Sequence, residues 1–434
     1  MTASKNTRRE DSEVIAEEVT KPVTDSGLLS GGSLSALQHR NYRLFFGAQI
    51  FNLPGTWMQL VAEGWLVYQL TGSALALGLI RFLHTIPVTL LSVVAGGLAD
   101  RYDKRRVLII TQSLCLVLAA CLFFLTFTDR VELWHIGVLA FAVGVANAFD
   151  IPTRQSFIVE LVGKRDLMNA IALNASAFNI ARIVGPALAG FIIAGAGVEY
   201  CFLANTISYL FVIVGYSQLR LEQHQRSAPK ERFGRRIWLA LKHVLATPTL
   251  RVIFAMVATN SLFGMGYTTL MPMFAEDVWG VGPEGLGSLL AANGVGALIG
   301  AVTVATQSHS RRVDLLAKVG ATGFAIAMMG FAFCPNVLAA SVALVFGGWF
   351  MLLFSATSNT LVQRQITDDL RGRIMGLYTL CFIGLMPFGA FISGAAATWL
   401  GAPRTLVVGS AICVVGSLML WRSGLRQVAE TPVH

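Results

Sequence analysis

Four ionisable side chains interrupt long apolar stretches of the sequence. Glu63 lies in "QLVAEGWLV", Arg81 and His84 lie together in "GLIRFLHTI", and Arg182 stands directly before "IVGPALAG". A charged side chain at the centre of a bilayer costs about 2.5–3.5 kcal/mol on insertion scales, so such residues usually bind a substrate, an ion or a proton. We therefore expect these four residues to take part in proton or substrate coupling.

Glu63 and Arg81 are expected to lie at similar depths in the membrane. Each is about equally far from "TGSA", which separates their apolar stretches and can form a tight turn. This arrangement predicts an ion pair between Glu63 and Arg81, which His84, one helical turn from Arg81, could join. The alternative is that both side chains line a wet vestibule separately, where an unpaired Glu63 would be the better proton carrier. Arg182 would bind an anionic substrate or form a structural pair.

The segment "GGLADRYDKRR" (96–106) places four cations and two acids between two apolar runs. Positive charge collects in cytoplasmic loops, which accounts for Lys104, Arg105 and Arg106. It does not account for Asp100, because the helix dipole opposes an acid at the C-terminal end of a helix. We therefore expect Asp100 to have a specific cationic partner.

The sequence lacks motifs for several other chemistries. It has no Walker-type phosphate-binding loop, no cluster of metal ligands and no pairing of a nucleophile with a base. Its six cysteines show no CxxC spacing and lie in or near apolar stretches, as expected of apolar filler. We predict no metal, no cofactor and no enzymatic activity.

The composition is that of a membrane protein. Of the 434 residues, 55% are hydrophobic and only 13% are charged, and the mean hydropathy is +0.64. Soluble domains carry about 25% charged residues. A membrane-spanning helix needs about 20 mostly apolar residues. The sequence therefore predicts an all-α membrane protein with twelve spans: 43–69, 75–99, 106–127, 132–153, 168–194, 199–219, 250–275, 285–306, 313–333, 336–360, 372–398 and 402–422.

The excess of positive charge follows this predicted topology. The net charge is +9, and all but four of the 33 lysines and arginines fall on the side of the N-terminal tail. The exceptions are Arg130 and Arg404 in loops on the other side, and Arg81 and Arg182 within spans. The positive-inside rule makes the N-terminal side cytoplasmic. We therefore predict a multi-pass protein of the bacterial inner (plasma) membrane, with both termini cytoplasmic and no nucleic-acid partner.

The chain divides into five predicted regions. They are a disordered cytoplasmic tail (1–40), an N-terminal six-helix bundle (41–219), a basic cytoplasmic linker (220–249), a C-terminal six-helix bundle (250–422) and a second cytoplasmic tail (423–434). Within the linker, Phe233, Ile237, Leu241 and Leu245 share one helical face. This pattern predicts an amphipathic helix on the inner membrane surface, in contact with lipid. A helix that binds a partner protein is the alternative.

The two predicted bundles repeat a motif. The fifth span contains "RIVGPALAG" and the eleventh contains "GLMPFGAFISG", each with a proline among small residues. Two pseudo-symmetric bundles that face each other are the architecture of many secondary transporters, whose substrate site lies near the bilayer midplane.

Several segments resemble one transporter family. "GGLADRYDKRR" resembles the loop signature of the major facilitator superfamily. "RIVGPALAG", with Gly185, Pro186 and Gly190, is similar to the fifth-span motif of its drug–proton antiporters, although Ala189 stands where a glycine is usual. "WLVYQLTGSALALGL" and "GVANAFDIPTRQSF" resemble the branch that contains the enterobactin exporter and related bacterial efflux proteins. The resemblance extends from about residue 40 to residue 422.

The resemblance implies a conformational latch. In this superfamily the acid and the arginines of the loop form a charge cluster with an acid at the inner end of the fourth span, which is Asp150 here. Asp100, Arg101, Arg105 and Asp150 would then stabilise the outward-facing state and separate when the cytoplasmic side opens.

The resemblance also implies a function. The expected activity is secondary active transport that exports a small amphipathic molecule, such as a siderophore or a drug, in exchange for protons by alternating access. A lipid or metabolite carrier of the same fold is one alternative, and a non-transporting membrane sensor or scaffold is another. A periplasmic or outer-membrane export partner is compatible with the expected activity.

Overall fold

The computed structural model describes residues 34–99, 102–220, 233–307 and 312–422. Every regular element in these ranges is helical. A short 3-10 helix, Ser35–Gln38, precedes the first long helix, and a linker helix, Phe233–Ala246, lies between the halves of the chain. The other helices are α1 (Arg40–Thr71), α2 (Ala74–Ala99), α3 (Lys104–Phe127), α4 (Leu133–Val162), α5 (Leu167–Gly195), α6 (Glu199–Ser217), α7 (Pro248–Val278, with π-helical segments Asn260–Gly264 and Phe274–Val278), α8 (Gly282–Thr306), α9 (Val313–Phe331), α10 (Val337–Arg364), α11 (Asp368–Phe382) and α12 (Met386–Arg422).

Local sequence signals set several helix ends. Gly72 has a φ of 56° between α1 and α2, a left-handed conformation that glycine adopts without strain. Asp103 caps the start of α3 by accepting a hydrogen bond from the backbone N–H of Arg106 (3.2 Å). At the start of α4, Glu132 and His135 form a capping box.

Ten helical segments within the described residues are long and apolar enough to cross a membrane, where the sequence predicts twelve spans. Nine of them lie in α2 to α10. The tenth, Leu370–Met419, covers the predicted spans eleven and twelve and is broken at Gly401, where φ is 75°. The helix α1 is not among the ten, because its buried face carries the polar residues Gln49, Asn52, Gln59 and Glu63.

The fourth helix is longer than predicted. The sequence places the end of the fourth span at residue 153, whereas α4 continues through Pro152 to Val162. Apolar periodicity ends where a helix leaves the membrane, but the helix itself need not end there. As a result, Arg154 lies on the same helix as Asp150, one turn further along.

The two halves of the chain, 34–220 and 233–422, meet through two closely packed helix crossings. A Cβ atom on Gly190 of α5 would lie 2.7 Å from the Pro283 carbonyl oxygen of α8. At the other crossing, a Cβ atom on Gly394 of α12 would lie 2.5 Å from the Ala74 carbonyl oxygen of α2. Glycine at these positions lets the two backbones approach each other.

The glycines of the repeated motif have matching roles. Five residues before Gly190, Gly185 packs against Trp57 of α1 in its own half. Five residues before Gly394, Gly389 packs against Ser261 of α7, again in its own half. In both motifs, therefore, the first glycine faces a helix of the same half and the second faces the other half.

The apolar core is continuous on one side of the molecule and divided on the other. We call the face with the linker helix the linker side and the other face the opposite side. On the opposite side, one cluster of buried residues includes Trp65 and Phe202 from the first half and Tyr267 and Phe331 from the second. On the linker side, each half has its own cluster, one around Tyr42, Phe157 and Tyr216 and another around Leu250, Ile253 and Ile374. The halves are thus joined at the opposite side.

The linker helix packs against the second half. Ala240 and Val244 are buried in the cluster with Leu250 and Ile374, whereas Leu241 and Leu245 are exposed. The side chains of Phe233 and Ile237, which belong to the predicted apolar face, lie outside the described residues.

Candidate transport site

Two adjoining cavities lie near the middle of the molecule. The first, about 280 Å³, is lined by residues of both halves, and we call it the interface cavity. The second, about 430 Å³, is lined by residues of the first half, and we call it the N-half cavity. The two cavities share five lining residues: Trp57, Leu60, Glu63, Arg81 and Phe178. Two of the four predicted coupling residues therefore lie at the junction of the cavities.

The side chain of Glu63 lies next to that of His84. Glu63 Oε1 is 3.7 Å from His84 Nδ1, and both side chains are largely buried. His84 Nδ1 has no hydrogen-bond partner in the described parts of the chain. This separation is too long for a hydrogen bond. The Glu63 carboxylate and the His84 imidazole therefore face each other without a hydrogen bond between them.

Glu63 and Arg81 are not in direct contact. No Glu63–Arg81 contact within 4.0 Å occurs among the described ion pairs, although the two side chains lie close enough to interact electrostatically. His84, one turn from Arg81, lies next to the carboxylate. Arg81 lines both cavities.

Arg182 connects the two halves. Its Nη2 atom donates a hydrogen bond to Asn293 Oδ1 of α8 (2.7 Å), and the Tyr267 hydroxyl donates to the same oxygen (3.2 Å). Asn293 Nδ2 in turn donates to the Leu344 carbonyl oxygen (3.4 Å). Arg182, Tyr267 and Asn293 all line the interface cavity. Arg182 thus has a structural partner, and it also lines the site at which a substrate could bind.

Asp150 lies in a polar cluster on the linker side of the first half. It is 1% exposed, and its Oδ2 atom lies 2.6 Å from Arg154 Nη2. Its Oδ1 atom accepts hydrogen bonds from Gln112 (2.8 Å) and Thr111 (3.1 Å). Arg154 also donates to Gln49 (3.2 Å). The negative charge of Asp150 is therefore paired within its own helix and by α3.

Arg105, the predicted partner of Asp150, contacts another helix. Its guanidinium donates to the Tyr216 carbonyl oxygen (2.8 Å) and to the Ser217 carbonyl oxygen, at the C-terminal end of α6. A cation there satisfies free carbonyls and interacts favourably with the helix dipole. The other two predicted latch residues, Asp100 and Arg101, lie outside the described residues. In this conformation, Arg105 and Asp150 are not an ion pair among the described residues.

The fifth-span motif forms part of the cavity wall. Pro186 lines the interface cavity, and its carbonyl oxygen lies 2.6 Å from where a Cβ atom of Gly287 would be. Gly185 allows α1 to approach closely at Trp57, which lines both cavities. The motif therefore sets the positions of α1 and α8 around the site.

A model of the transmembrane secretion effector family, a branch of the major facilitator superfamily, matches residues 31–433. This match covers most of the chain. The protein belongs to that family. It is therefore a major facilitator transporter and not an enzyme, and it is a multi-pass membrane protein.

Curated relatives match this transporter along most of their length. The staphyloferrin A transporter of Staphylococcus aureus is 26% identical over 86% of this chain and 94% of its own. The multidrug efflux pump Tap of Mycolicibacterium fortuitum is 29% identical over 86% of this chain and 93% of its own. The enterobactin exporter EntS of Salmonella typhi is 26% identical over 92% of this chain and 97% of its own.

Solved structures show the same fold. A bacterial homologue of the human lysosomal transporter Spinster, in an inward-facing and unoccupied conformation, superposes with a TM-score of 0.70 at 13% identity and covers 88% of this chain and 96% of its own. A POT family transporter in complex with a thioalcohol-conjugated peptide superposes with a TM-score of 0.72 at 10% identity and covers 88% of this chain and 96% of its own. At such identities the likeness concerns the fold alone.

Sequence reasoning missed two polar contacts of this major facilitator protein. Arg154 follows Asp150 with the i, i+4 spacing of helical ion pairs, a signal that the predicted end of the fourth span obscured. The Tyr68 hydroxyl donates to Asp277 Oδ2, which joins α1 to α7 on the opposite side. Asp277 is exposed at the end of α7.

No group of three or more histidines, cysteines or acids among the described residues is placed to hold a metal ion.

Proposed function

We propose that this transporter exports a small amphipathic molecule, such as a siderophore or a drug-like compound, in exchange for protons. The observation that carries the proposal is the interface cavity, which both halves line and in which Glu63, Arg81 and Arg182 meet an apolar wall. In secondary transporters the substrate site lies between two repeated halves near the midplane. The relatives are named for siderophore transport and drug efflux, which supports the same substrate range.

The proposed architecture has twelve spans in two six-helix bundles. α1 would be the first span, because its polar residues face the interior of the bundle and its 32 residues are long enough to cross a bilayer. The 50-residue stretch Leu370–Met419 would form two spans that reverse direction at Gly401. With an even number of spans, both termini and the linker would lie in the cytoplasm, and the protein would lie in the bacterial inner membrane.

The proposed transport cycle alternates access between the two sides. The continuous core on the opposite side and the divided cores on the linker side fit a state in which the cavity opens towards the linker. Closure of the linker side would bring Asp100, Arg101 and Arg105 to Asp150 and form the latch. Asp150, which now contacts Arg154, would then interact with the loop arginines in place of Arg154 or in addition to it. A buried charge left without its partner costs several kcal/mol, which is enough to bias such an equilibrium.

Glu63 and His84 are the proposed proton carriers. Their facing atoms are 3.7 Å apart, and Glu63 lines both cavities, so it contacts the substrate site and the N-half cavity at once. A proton on either group would turn the contact into a hydrogen bond or an ion pair.

The test measures proton exchange in everted membrane vesicles. Respiration acidifies the vesicle interior and quenches the dye ACMA, and a compound that exchanges for protons restores the fluorescence. A catecholate siderophore, a hydroxycarboxylate siderophore and ethidium are added in turn. We expect at least one to restore fluorescence in vesicles that contain the parent protein, and little recovery with Glu63→Gln or Asp100→Asn at equal expression. Absence of any response to all three classes would contradict proton-coupled export.

A further inference from the structure

The charges in the interface cavity do not balance. Three charged residues line it, namely Glu63, Arg81 and Arg182. Glu63 faces His84, and Arg182 donates a hydrogen bond to a neutral amide, that of Asn293. Arg81 forms no side-chain ion pair or hydrogen bond within the described parts of the chain. Glu63 nevertheless lies close enough to Arg81 to interact with it electrostatically. The cavity therefore presents two guanidinium groups against a single carboxylate, and Arg182 has no acid among its described contacts.

Two guanidinium groups against one carboxylate leave an excess of positive charge in the cavity. A buried charge is costly unless it is paired, and arginine remains charged under all ordinary conditions. Each guanidinium has five N–H donors in a planar fork that matches a carboxylate. Arg182 uses one of its nitrogens on Asn293, so other donors of its fork remain for a ligand. An anionic group from outside the chain would compensate both arginines.

The rest of the cavity wall is apolar and adaptable. The second half contributes four methionines, Met265, Met271, Met351 and Met386, and the aromatic side chain of Phe382. The first half adds Trp57 and Phe178. Methionine is flexible and polarisable, so a methionine wall accepts apolar groups of different shapes. A ligand that fits this wall has a substantial apolar or aromatic body.

We propose that the interface cavity binds amphipathic organic anions, whose carboxylate or similar group contacts Arg81 and Arg182 while the apolar body packs against the methionine wall. This inference rests on the proposed function only in taking the cavity as the transport site. A cationic ligand would meet two like charges and one acid that already faces an imidazole. A neutral ligand would leave the excess positive charge of the cavity uncompensated.

The test is equilibrium binding to the full chain in lipid nanodiscs, with empty nanodiscs as the blank. The probes are three compounds with one ring system: 2-naphthoate, the neutral 2-naphthamide and the cationic 2-naphthylmethylamine. We expect 2-naphthoate to bind at least about 10-fold more tightly than the other two, because a charge-assisted hydrogen bond is about twice as strong as a neutral one. Arg81→Gln should remove that preference and leave the weak binding of 2-naphthamide unchanged.

Two further variants separate binding from folding. Arg182→Gln removes a contact between the halves and can destabilise the protein, so Arg182→Lys, which keeps the charge, should retain more affinity for 2-naphthoate than Arg182→Gln does. Arg130→Gln, at an exposed arginine on the opposite side, is the matched control and should bind all probes like the parent.

The proposal is overturned if 2-naphthoate does not bind at millimolar concentration, if 2-naphthylmethylamine binds better, or if Arg81→Gln binds 2-naphthoate as the parent does. These measurements use no proton gradient, so loss of antiport in vesicles would leave them unchanged. Conversely, antiport of ethidium without any preference for 2-naphthoate would support export and contradict the anion site.

Discussion

The two halves of this transporter share their packing and differ in their charge. Gly185 and Gly190 in the first half have the same contacts as Gly389 and Gly394 in the second. Yet the first half carries Glu63, Arg81, His84, Asp150, Arg154 and Arg182 within its helices. The described helices of the second half carry most of their charges near the helix ends, as with Asp314 in the first turn of α9 and Arg422 in the last turn of α12, and Arg404 lies beside the break of α12 at Gly401.

The comparison shows that the internal repeat constrains helix packing in both halves, whereas the binding of protons and substrate constrains only the half that carries the charged residues. Alternating access needs two similar crossings, α5 with α8 and α2 with α12, so both halves keep their small residues. Binding a proton or an anion needs only a few groups in one place, so one half is sufficient. The second half is then free to supply the apolar methionine wall.

The largest expected effect comes from removing the acid of the first half. Glu63→Gln should abolish uphill export driven by a pH gradient and spare downhill exchange, because the substrate cavity remains and the proton carrier is lost. Both fluxes are measured in proteoliposomes with whichever compound responds in the vesicle assay. The matched control is Glu276→Gln, at an exposed acid on α7. Uphill export by Glu63→Gln at the parental rate would remove Glu63 from the mechanism.

The next effect concerns the buried pair of α4. Arg154→Gln strands Asp150, which is 1% exposed, and should lower the free energy of unfolding by up to about 3–5 kcal/mol. The double variant Asp150→Asn with Arg154→Gln should lose less, because no charge is left unpaired. Thermal unfolding of the purified variants measures both.

A control for this pair lies on the same side of the same half. Lys104 lies 2.6 Å from Glu160, whose side chain is 35% exposed, so Lys104→Gln should cost only about 0–1 kcal/mol. If Arg154→Gln lowered the free energy of unfolding no more than the double variant does, an unpaired Asp150 would carry no energetic cost, which would contradict the prediction.

Glycine substitutions test the shared packing. Gly190→Ala and Gly394→Ala each place a methyl group less than 3 Å from a backbone carbonyl of the other half, and each should cost about 1–3 kcal/mol. Gly330→Ala, which has open space around it, should be neutral or slightly stabilising. Similar losses of stability at positions 190 and 394 would support equivalent packing in the two halves. A loss at only one of these positions would show that the two crossings are not equivalent.

The smallest effect concerns a polar contact at the linker end of the first half. His39 Nε2 lies 2.8 Å from Asp166 Oδ2, which ties the start of α1 to the start of α5. Hydrogen bonds from His39 and Ser35 hold the pKa of Asp166 below its usual value of 3.8. A lowered carboxyl pKa stabilises the fold above the pKa of the unfolded chain and ceases to do so as pH falls through the folded value.

Asp166→Asn should therefore unfold at a slightly lower temperature than the parent at pH 7, and the difference should shrink as pH falls below about 4 and disappear below the folded-state pKa of Asp166. Thermal scans over this pH range measure it. Asp129→Asn, at a solvent-exposed turn, serves as the control. A difference that grows on acidification would mean that the Asp166 carboxylate does not stabilise the contact.

Much of this protein can be predicted from sequence alone. Long apolar stretches predict membrane-spanning helices, because hydropathy and helix length are properties of consecutive residues. The same local reasoning identifies Glu63, Arg81 and Arg182 as unusual, and the motif at Gly185, Pro186 and Gly190 points to the major facilitator superfamily, as the family match confirms.

The partners of these residues were decided by the tertiary structure. Glu63 faces His84 instead of Arg81, Arg182 contacts Asn293 of the other half, and Asp150 is paired with Arg154. Each outcome depends on how a helix is rotated, how far it extends past the membrane, and which helix crosses it. Those quantities are set by packing between distant segments, so the sequence determined which side chains carry charge, and only the folded arrangement determined what each charge meets.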